Sequence, residues 1–300
     1  MTFRSIPAFA LVLAIVGCGG AAGPSTPLGP GPSTPLGPGP STPLGPGPST
    51  SLGPGPGAGG AQPRERRQTI VLRGQLQTLH VYGPPDGAPV IVTSGDGGWI
   101  HLGPHVAEML ASQGFLAIGF DAKSYLESFT GGVMTLRMED VPRDYEALMD
   151  FAAAATRRRP LLVGNSEGAG LSVLAASDPS IKEAIAGVIG LGLCNVTELG
   201  WRWRDMLIYV THRAPGEPSF KVTTVIDRLA PVPLAAIHST HDEYVPLAEV
   251  EDMLATARQP KRLWVVDAVN HRFGDNLGDF DRSLLEAIAW IDEQHTGQTR

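Results

Sequence analysis

The segment that most limits what this chain can fold into is Leu161-Leu162-Val163-Gly164-Asn165-Ser166-Glu167-Gly168-Ala169-Gly170. A short apolar run enters Gly-x-Ser-x-Gly and continues directly into helix-forming residues. That order of strand, sharp turn and helix lifts a serine above a sheet edge as a nucleophile. Ser166 is therefore the candidate nucleophile, and Gly164 and Gly168 keep side chains out of the close strand and helix approach. In a chain with 37 Gly among 300 residues a five-residue pattern carries little alone. The rest of the sequence has to supply a base, an acid and donors for an oxyanion.

Ahead of this segment the chain is of a different kind. Residues 1–17 carry one charge, Arg4, and an apolar run from Ala8 to Val16 that is too short to span a bilayer, the pattern of a secretion signal. It ends in Ile15-Val16-Gly17-Cys18, which resembles the lipobox of bacterial lipoproteins and makes Cys18 the expected lipidation site. Several acyl chains on one cysteine anchor a protein stably where one chain does not. No acidic residue stands directly after Cys18, which by the same resemblance favours the outer membrane in a Gram-negative cell. Residues 18–63 form a linker in which Pro-Ser-Thr-Pro-Leu-Gly-Pro-Gly repeats with a period of eight, a composition that can build neither a ladder nor a core. It reaches about 40 Å as a flexible coil and up to about 140 Å in polyproline form.

Residues 64–300 hold every charge but Arg4, with 22 of the 23 Lys and Arg against all 30 Asp and Glu. That acidic balance disfavours a nucleic-acid partner. Cys194 is the single cysteine left, which excludes an intrachain disulfide framework and reads as a small buried apolar residue. Strand-like and helical periods alternate. Thr69–Leu72 and Thr78–Tyr82 read as a hairpin, Val90–Thr93, Phe115–Phe120, Leu161–Val163, Ala186–Leu193, Pro233–His238 and Arg262–Val266 as strands. His105–Gln113, Asp140–Thr156 with Asp140 as N-cap, the stretch after Ser166, Leu247–Ala257 and Arg282–Gln294 read as helices. The expected fold is α/β, a mostly parallel doubly wound sheet with helices on both faces, two antiparallel lead-in strands, and a short lid insertion at about 195–229.

In α/β-hydrolases the nucleophile, acid and base follow in the order Ser, Asp or Glu, His. His238-Ser239-Thr240-His241-Asp242-Glu243-Tyr244-Val245-Pro246 follows a buried strand, so Asp242 is the expected acid with Glu243 as substitute. His271 alone of the eight histidines falls after the last strand and before the last helix, and imidazole accepts and returns a proton near neutral pH. A metal held by His238, His241 and Asp242 is the competing use of the acid loop, without the further spaced ligands a metal site has. No cofactor or metal is expected. For the oxyanion, Glu167 offers its N–H, and the glycine loop Ser94-Gly95-Asp96-Gly97-Gly98-Trp99 offers that of Asp96 or Gly97. Trp99, Tyr125 in the loop after Phe115–Phe120, and Trp201 and Trp203 in the insertion are assigned to the substrate side, beyond the carboxyl ends of the strands. Trp201-Arg202-Trp203-Arg204 reads either as a lipid- or phosphate-facing element or as an ordinary packed cap.

The Ser94–Trp99 hexapeptide, the following Ala-Ser-Gln-Gly-Phe and the strand ending Gly119-Phe120-Asp121 together resemble the VirJ/AcvB-type bacterial virulence proteins, a branch of the α/β-hydrolase superfamily. The resemblance spans about residues 88–295. It implies an exported protein with a Ser166, Asp242 and His271 triad and, as the activity associated with the branch, hydrolysis of aminoacyl esters of phosphatidylglycerol. The elbow departs from the common Gly-Tyr-Ser-Phe-Gly-Ala-Asp by carrying Asn165, Glu167 and Gly170. A carboxylate beside the nucleophile opposes an oxyanion or attracts an amine, depending on where its side chain points. The expectation is a membrane-tethered serine esterase, with a non-catalytic lipoprotein adaptor for envelope or secretion-system partners as the alternative.

Overall fold

The computed structural model describes residues 64–131, 135–202 and 217–297. The secretion segment, Cys18 and the linker lie outside the described residues, as does Trp203. Strands β1 (Arg66–Leu72) and β2 (Gln75–Tyr82) form the lead-in hairpin. Its two-residue turn, Arg73-Gly74, has φ of 46° and 85°, the left-handed pair that matches strand twist. The remaining strands of the large sheet are β3 (Pro89–Thr93), β4 (Leu116–Phe120), β5 (Leu161–Asn165), β6 (Gly187–Leu191), β9 (Leu234–Ser239) and β10 (Lys261–Val266). Short β7 (Val196–Glu198) and β8 (Ser219–Lys221) pair with each other in a separate two-stranded sheet.

The large sheet runs β1-β2-β4-β3-β5-β6-β9-β10, antiparallel up to β4 and parallel from there on. Neighbouring residues on the central strands go to opposite faces. Val90, Val92, Leu161, Val163 and Ile237 join one core cluster with helices α1 (Leu102–Ser112) and α7 (Leu277–Gly297). Ile91, Leu162, Val188 and Ala236 join the other, with α2 (Ala122–Thr130), α3 (Asp140–Thr156), α4 (Glu167–Ala176) and α6 (Leu247–Thr256); α5 is the single turn Pro179–Lys182. Burial on both faces is why these strands are continuous apolar runs. Each fully buried Val or Ile contributes about 1.5–3 kcal/mol over an exposed one.

Two local expectations are corrected. The stretch containing Tyr125 is not a loop but helix α2, started by Asp121, whose carboxylate accepts the Ser124 N–H at 3.1 Å. Asp140 is the first residue of α3 rather than its cap; its carboxylate accepts the Arg137 N–H and ion-pairs with Arg73 and Arg137.

The topology fixes where a site can form. After β3 the chain goes outward to β4, then returns to β5 on the other side of β3. The loops leaving β3 and β5 therefore diverge at the switch point of the sheet, where α/β folds open a crevice. With Thr93 level with Gly164, the glycine loop and the elbow emerge side by side. The loops after β9 and β10 leave the same edge.

Candidate active site

Ser166 sits at φ 51° and ψ −114°, a left-handed conformation that a residue with a Cβ adopts only at a cost of about 1–3 kcal/mol. The surroundings hold it there. Its N–H donates to the Leu191 carbonyl at 2.8 Å, tying the elbow to β6. A Cβ on Gly164 would lie 2.2 Å from the Gly168 carbonyl oxygen, and one on Gly168 would lie 2.3 Å from that of Ser94. Both flanking glycines are thus required by backbone packed on backbone. Below the elbow the Tyr145 hydroxyl lies 3.0 Å from Thr93 Oγ1 and 3.4 Å from Ser172 Oγ, linking β3, α3 and α4; burial pushes its pKa up to about 12.

The acid and base come from the next two loops. Asp242 Oδ1 accepts the N–H groups of Tyr244 and Val245, each at 2.9 Å, and Oδ2 lies 2.5 Å from His271 Nδ1. Burial raises the Asp242 pKa, but the His271 hydrogen bond and charge and the two backbone donors outweigh it, and the net shift is downward. A carboxylate only accepts, so Nδ1 carries the proton and Nε2 is left with its lone pair. Nε2 is buried without a hydrogen-bond partner among the described residues, and His271 shares a pocket with Ser166. The imidazole meets the Tyr244 ring edge-on at 5.6 Å and lies against Gly192, where a Cβ would come 2.4 Å from Cε1. Gly192, at φ 56°, is needed for the histidine to fit.

Glu243 has a different place from the one expected of a substitute acid. Its Oε2 accepts the His271 main-chain N–H at 2.7 Å, fastening the β10 loop to the β9 loop. His238 is fully buried, and its Nε2 donates to the Val245 carbonyl at 2.8 Å behind Asp242, while His241 is exposed. The two histidines therefore face different surroundings, and no three His, Cys, Asp or Glu among the described residues are grouped to hold a metal ion.

On the other side of Ser166, Asp96 and Gly97 line the pocket in a turn closed by the Gly98 N–H to the Gly95 carbonyl at 3.0 Å. The Glu167 N–H opens α4 and has no carbonyl one turn earlier to bond. These are the three backbone donors named from the sequence. The Glu167 side chain turns away from the pocket, its Oε1 accepting the Glu198 N–H of β7. Burial, with Cys194, Asp96 and Glu198 nearby, holds its carboxyl well above the ordinary range. Cys194 is buried and donates to the Val196 carbonyl at 3.4 Å.

Three residues assigned to the substrate side belong to the packing instead. Tyr125 is fully buried, and its hydroxyl donates to Asp144 at 2.6 Å in a network with Arg73. Trp99 stacks on His80 at 4.8 Å and lies over Gly119, which has no Cβ to obstruct it. Trp201 is buried in the core under Lys123, its main-chain N–H donating to Thr130 Oγ1, and Arg202 pairs with Glu217. The pocket is lined instead by Asn165, Ile100, His101, Tyr244 and Arg272, which sequence reasoning passed over. Two of these were signalled by position, since Tyr244 and Arg272 stand within two residues of the named acid and base.

A strained serine after the fifth strand of this sheet order, with a carboxylate-bound histidine arriving from the last, defines an α/β-hydrolase fold. Solved structures share it. A putative aryl esterase from Burkholderia cenocepacia superposes with a TM-score of 0.58 at 15% identity, over 76% of this chain and 100% of that one. Est1E from Butyrivibrio proteoclasticus gives 0.55 at 17%, over 74% and 99%. Dienelactone hydrolase from Anabaena variabilis gives 0.53 at 17%, over 76% and 96%. No curated protein matches the sequence. Residues 88–286 match the model of the family described as bacterial virulence protein (VirJ), and the chain belongs to that family.

Proposed function

We propose that this protein is a serine ester hydrolase of the cell envelope, tethered through a lipidated Cys18 and its repeat linker, with aminoacylated phosphatidylglycerol as substrate. The observation that carries the reading is the 2.5 Å contact of Asp242 with His271 Nδ1, which leaves an unpartnered Nε2 in the pocket of a strained Ser166.

In the reaction His271 Nε2 takes the Ser166 hydroxyl proton as Oγ bonds to the carbonyl carbon. The oxygen gains its negative charge among the N–H groups of Glu167 and of Asp96 or Gly97. The intermediate collapses with cleavage of the bond to the alcohol oxygen, which receives the proton from Nε2. Water then attacks the acyl-enzyme, giving its proton to Nε2, and the acid departs as Ser166 is restored. Asp242 holds the imidazole tautomer throughout.

A fluorophosphonate probe on the purified chain tests the chemistry: labelling that disappears in Ser166→Ala supports it. Folded protein that takes no label would instead be a tethered adaptor for envelope partners. Incubation with aminoacylated and plain phosphatidylglycerol tests the substrate, which is wrong if simple esters are cleaved and neither lipid changes.

A further inference from the structure

The pocket over Ser166 carries two opposite charges that the reaction above does not use. Among the described residues, Asp96 is the only acid lining it and Arg272 the only Lys or Arg. Neither is in an ion pair among the described residues, although Arg272 is close enough to influence Asp96, His101 and Tyr244 electrostatically. They come from far apart in the sheet. Asp96 follows β3 and Arg272 follows β10, four strand positions or about 19 Å away, and their loops converge over β5. The neighbouring acids and bases of the site are committed elsewhere: Asp242 to His271, Glu243 to the His271 main chain, Glu167 to β7.

Both line the pocket beside the reacting groups. The departing alcohol takes its proton from His271 Nε2, so it lies on the His271 side, where Arg272 stands. Asp96 belongs to the glycine loop that receives the carbonyl oxygen, and its carboxyl lies within electrostatic reach of His271, Arg272 and Tyr244. We propose that Asp96 and Arg272 are the specificity residues of this site, Asp96 taking a free ammonium next to the scissile carbonyl and Arg272 an anionic group on the departing alcohol. The assignment rests on the serine-hydrolase reading.

A half-buried carboxyl without a cation partner is costly, and a charge-assisted bond to a ligand ammonium recovers that cost. Consistent with this, burial raises the Asp96 carboxyl above the ordinary range, offset in part by His271, the Gly97 N–H and Arg272. An arriving ammonium pulls it down again and fixes the carboxylate. A loop-holding role for Asp96 predicts equal losses on every ester, whereas a specificity role alters the ratio between esters.

The test uses the full chain and four soluble esters: glycyl and N-acetylglycyl esters, each of glycerol and of glycerol phosphate. The expected preference is for the doubly charged ester. Asp96→Asn is expected to lower the ratio of kcat/KM for free-amine over N-acetyl substrates by about tenfold to hundredfold. Arg272→Gln is expected to lower the phosphate over non-phosphate ratio by a similar factor, with partial recovery in Arg272→Lys. If Ser166 still labels with fluorophosphonate in the variants and both ratios stay at their wild-type values, the specificity assignment is overturned and the hydrolase reading stands. If wild-type protein neither labels nor cleaves any of the four, both fall together.

Discussion

Two buried carboxyls flank Ser166, and the protein treats them in opposite ways. Asp242 has two backbone N–H donors and an imidazole around it, and its pKa is driven down despite burial. Glu167 has one backbone donor, a thiol and two further carboxyls nearby, and its pKa is driven well up. The acid loop is built to stabilise a charge, whereas the junction of α4 with β7 is built to suppress one. The difference lies in their neighbours, His271 and two N–H donors at Asp242 against a thiol and two carboxyls at Glu167, since burial opposes ionisation at both positions. It also explains how a glutamate can follow the nucleophile without opposing the oxyanion: its side chain is spent on β7 and only its N–H faces the reaction.

The largest expected effects lie on the Asp242 side. Ser166→Ala should lower ester cleavage by about 10⁶-fold and abolish probe labelling. Asp242→Asn keeps the shape but no longer fixes the tautomer, and kcat should fall by about 10⁴-fold. If Asp242→Asn costs no more than Glu167→Gln, the contrast between the two carboxyls has no catalytic meaning. Gly192→Ala comes next. The new Cβ displaces the imidazole, and misplacement of a reacting group by about 1 Å costs about 10²-fold, so kcat should fall by that order, while the positive φ of 56° also lowers Tm. Measured kcat and Tm check this: an unchanged kcat in the folded variant would mean that Gly192 does not position the histidine.

The parts of this molecule that were legible in the sequence are those that follow from local pattern. Continuous apolar runs such as Val90–Thr93 identified strands buried on two faces. Gly164 and Gly168 identified an elbow, and the chain order of Ser166, Asp242 and His271 identified groups that the sheet brings to one edge. What was missed depends on the third dimension. Nothing local separates an aromatic that faces a pocket from one that fills a core, so Tyr125, Trp99 and Trp201 were assigned outward while packing draws them in. The fit of Gly192 against His271 joins residues nearly 80 apart. Helix α2 was missed for a different reason: it is short, and Asp121 two residues before Lys123 is a cap signal that the preceding strand overshadowed.

The smallest expected effect is on stability, and it separates the two carboxyls by sign. Asp242 has a depressed folded pKa, so its stabilisation is present above the ordinary carboxylate range and is lost as pH falls through that depressed value. Glu167 has a raised folded pKa, so its contribution is full below the ordinary value and is lost as pH rises through the raised one. Glu167→Gln retains an oxygen to accept the Glu198 N–H and removes the titration. Its Tm should therefore vary less with pH above the carboxylate range and exceed wild type at pH 8 by about 2–4 °C, the change that about 1 kcal/mol produces in a domain of this size. Asp242→Asn should instead be less stable than wild type at pH 8, with the gap closing in acid. Thermal melts across that range decide the matter: parallel curves for wild type and Glu167→Gln would mean that the carboxyl beside the nucleophile ionises without penalty, and that a charge stands next to the oxyanion after all.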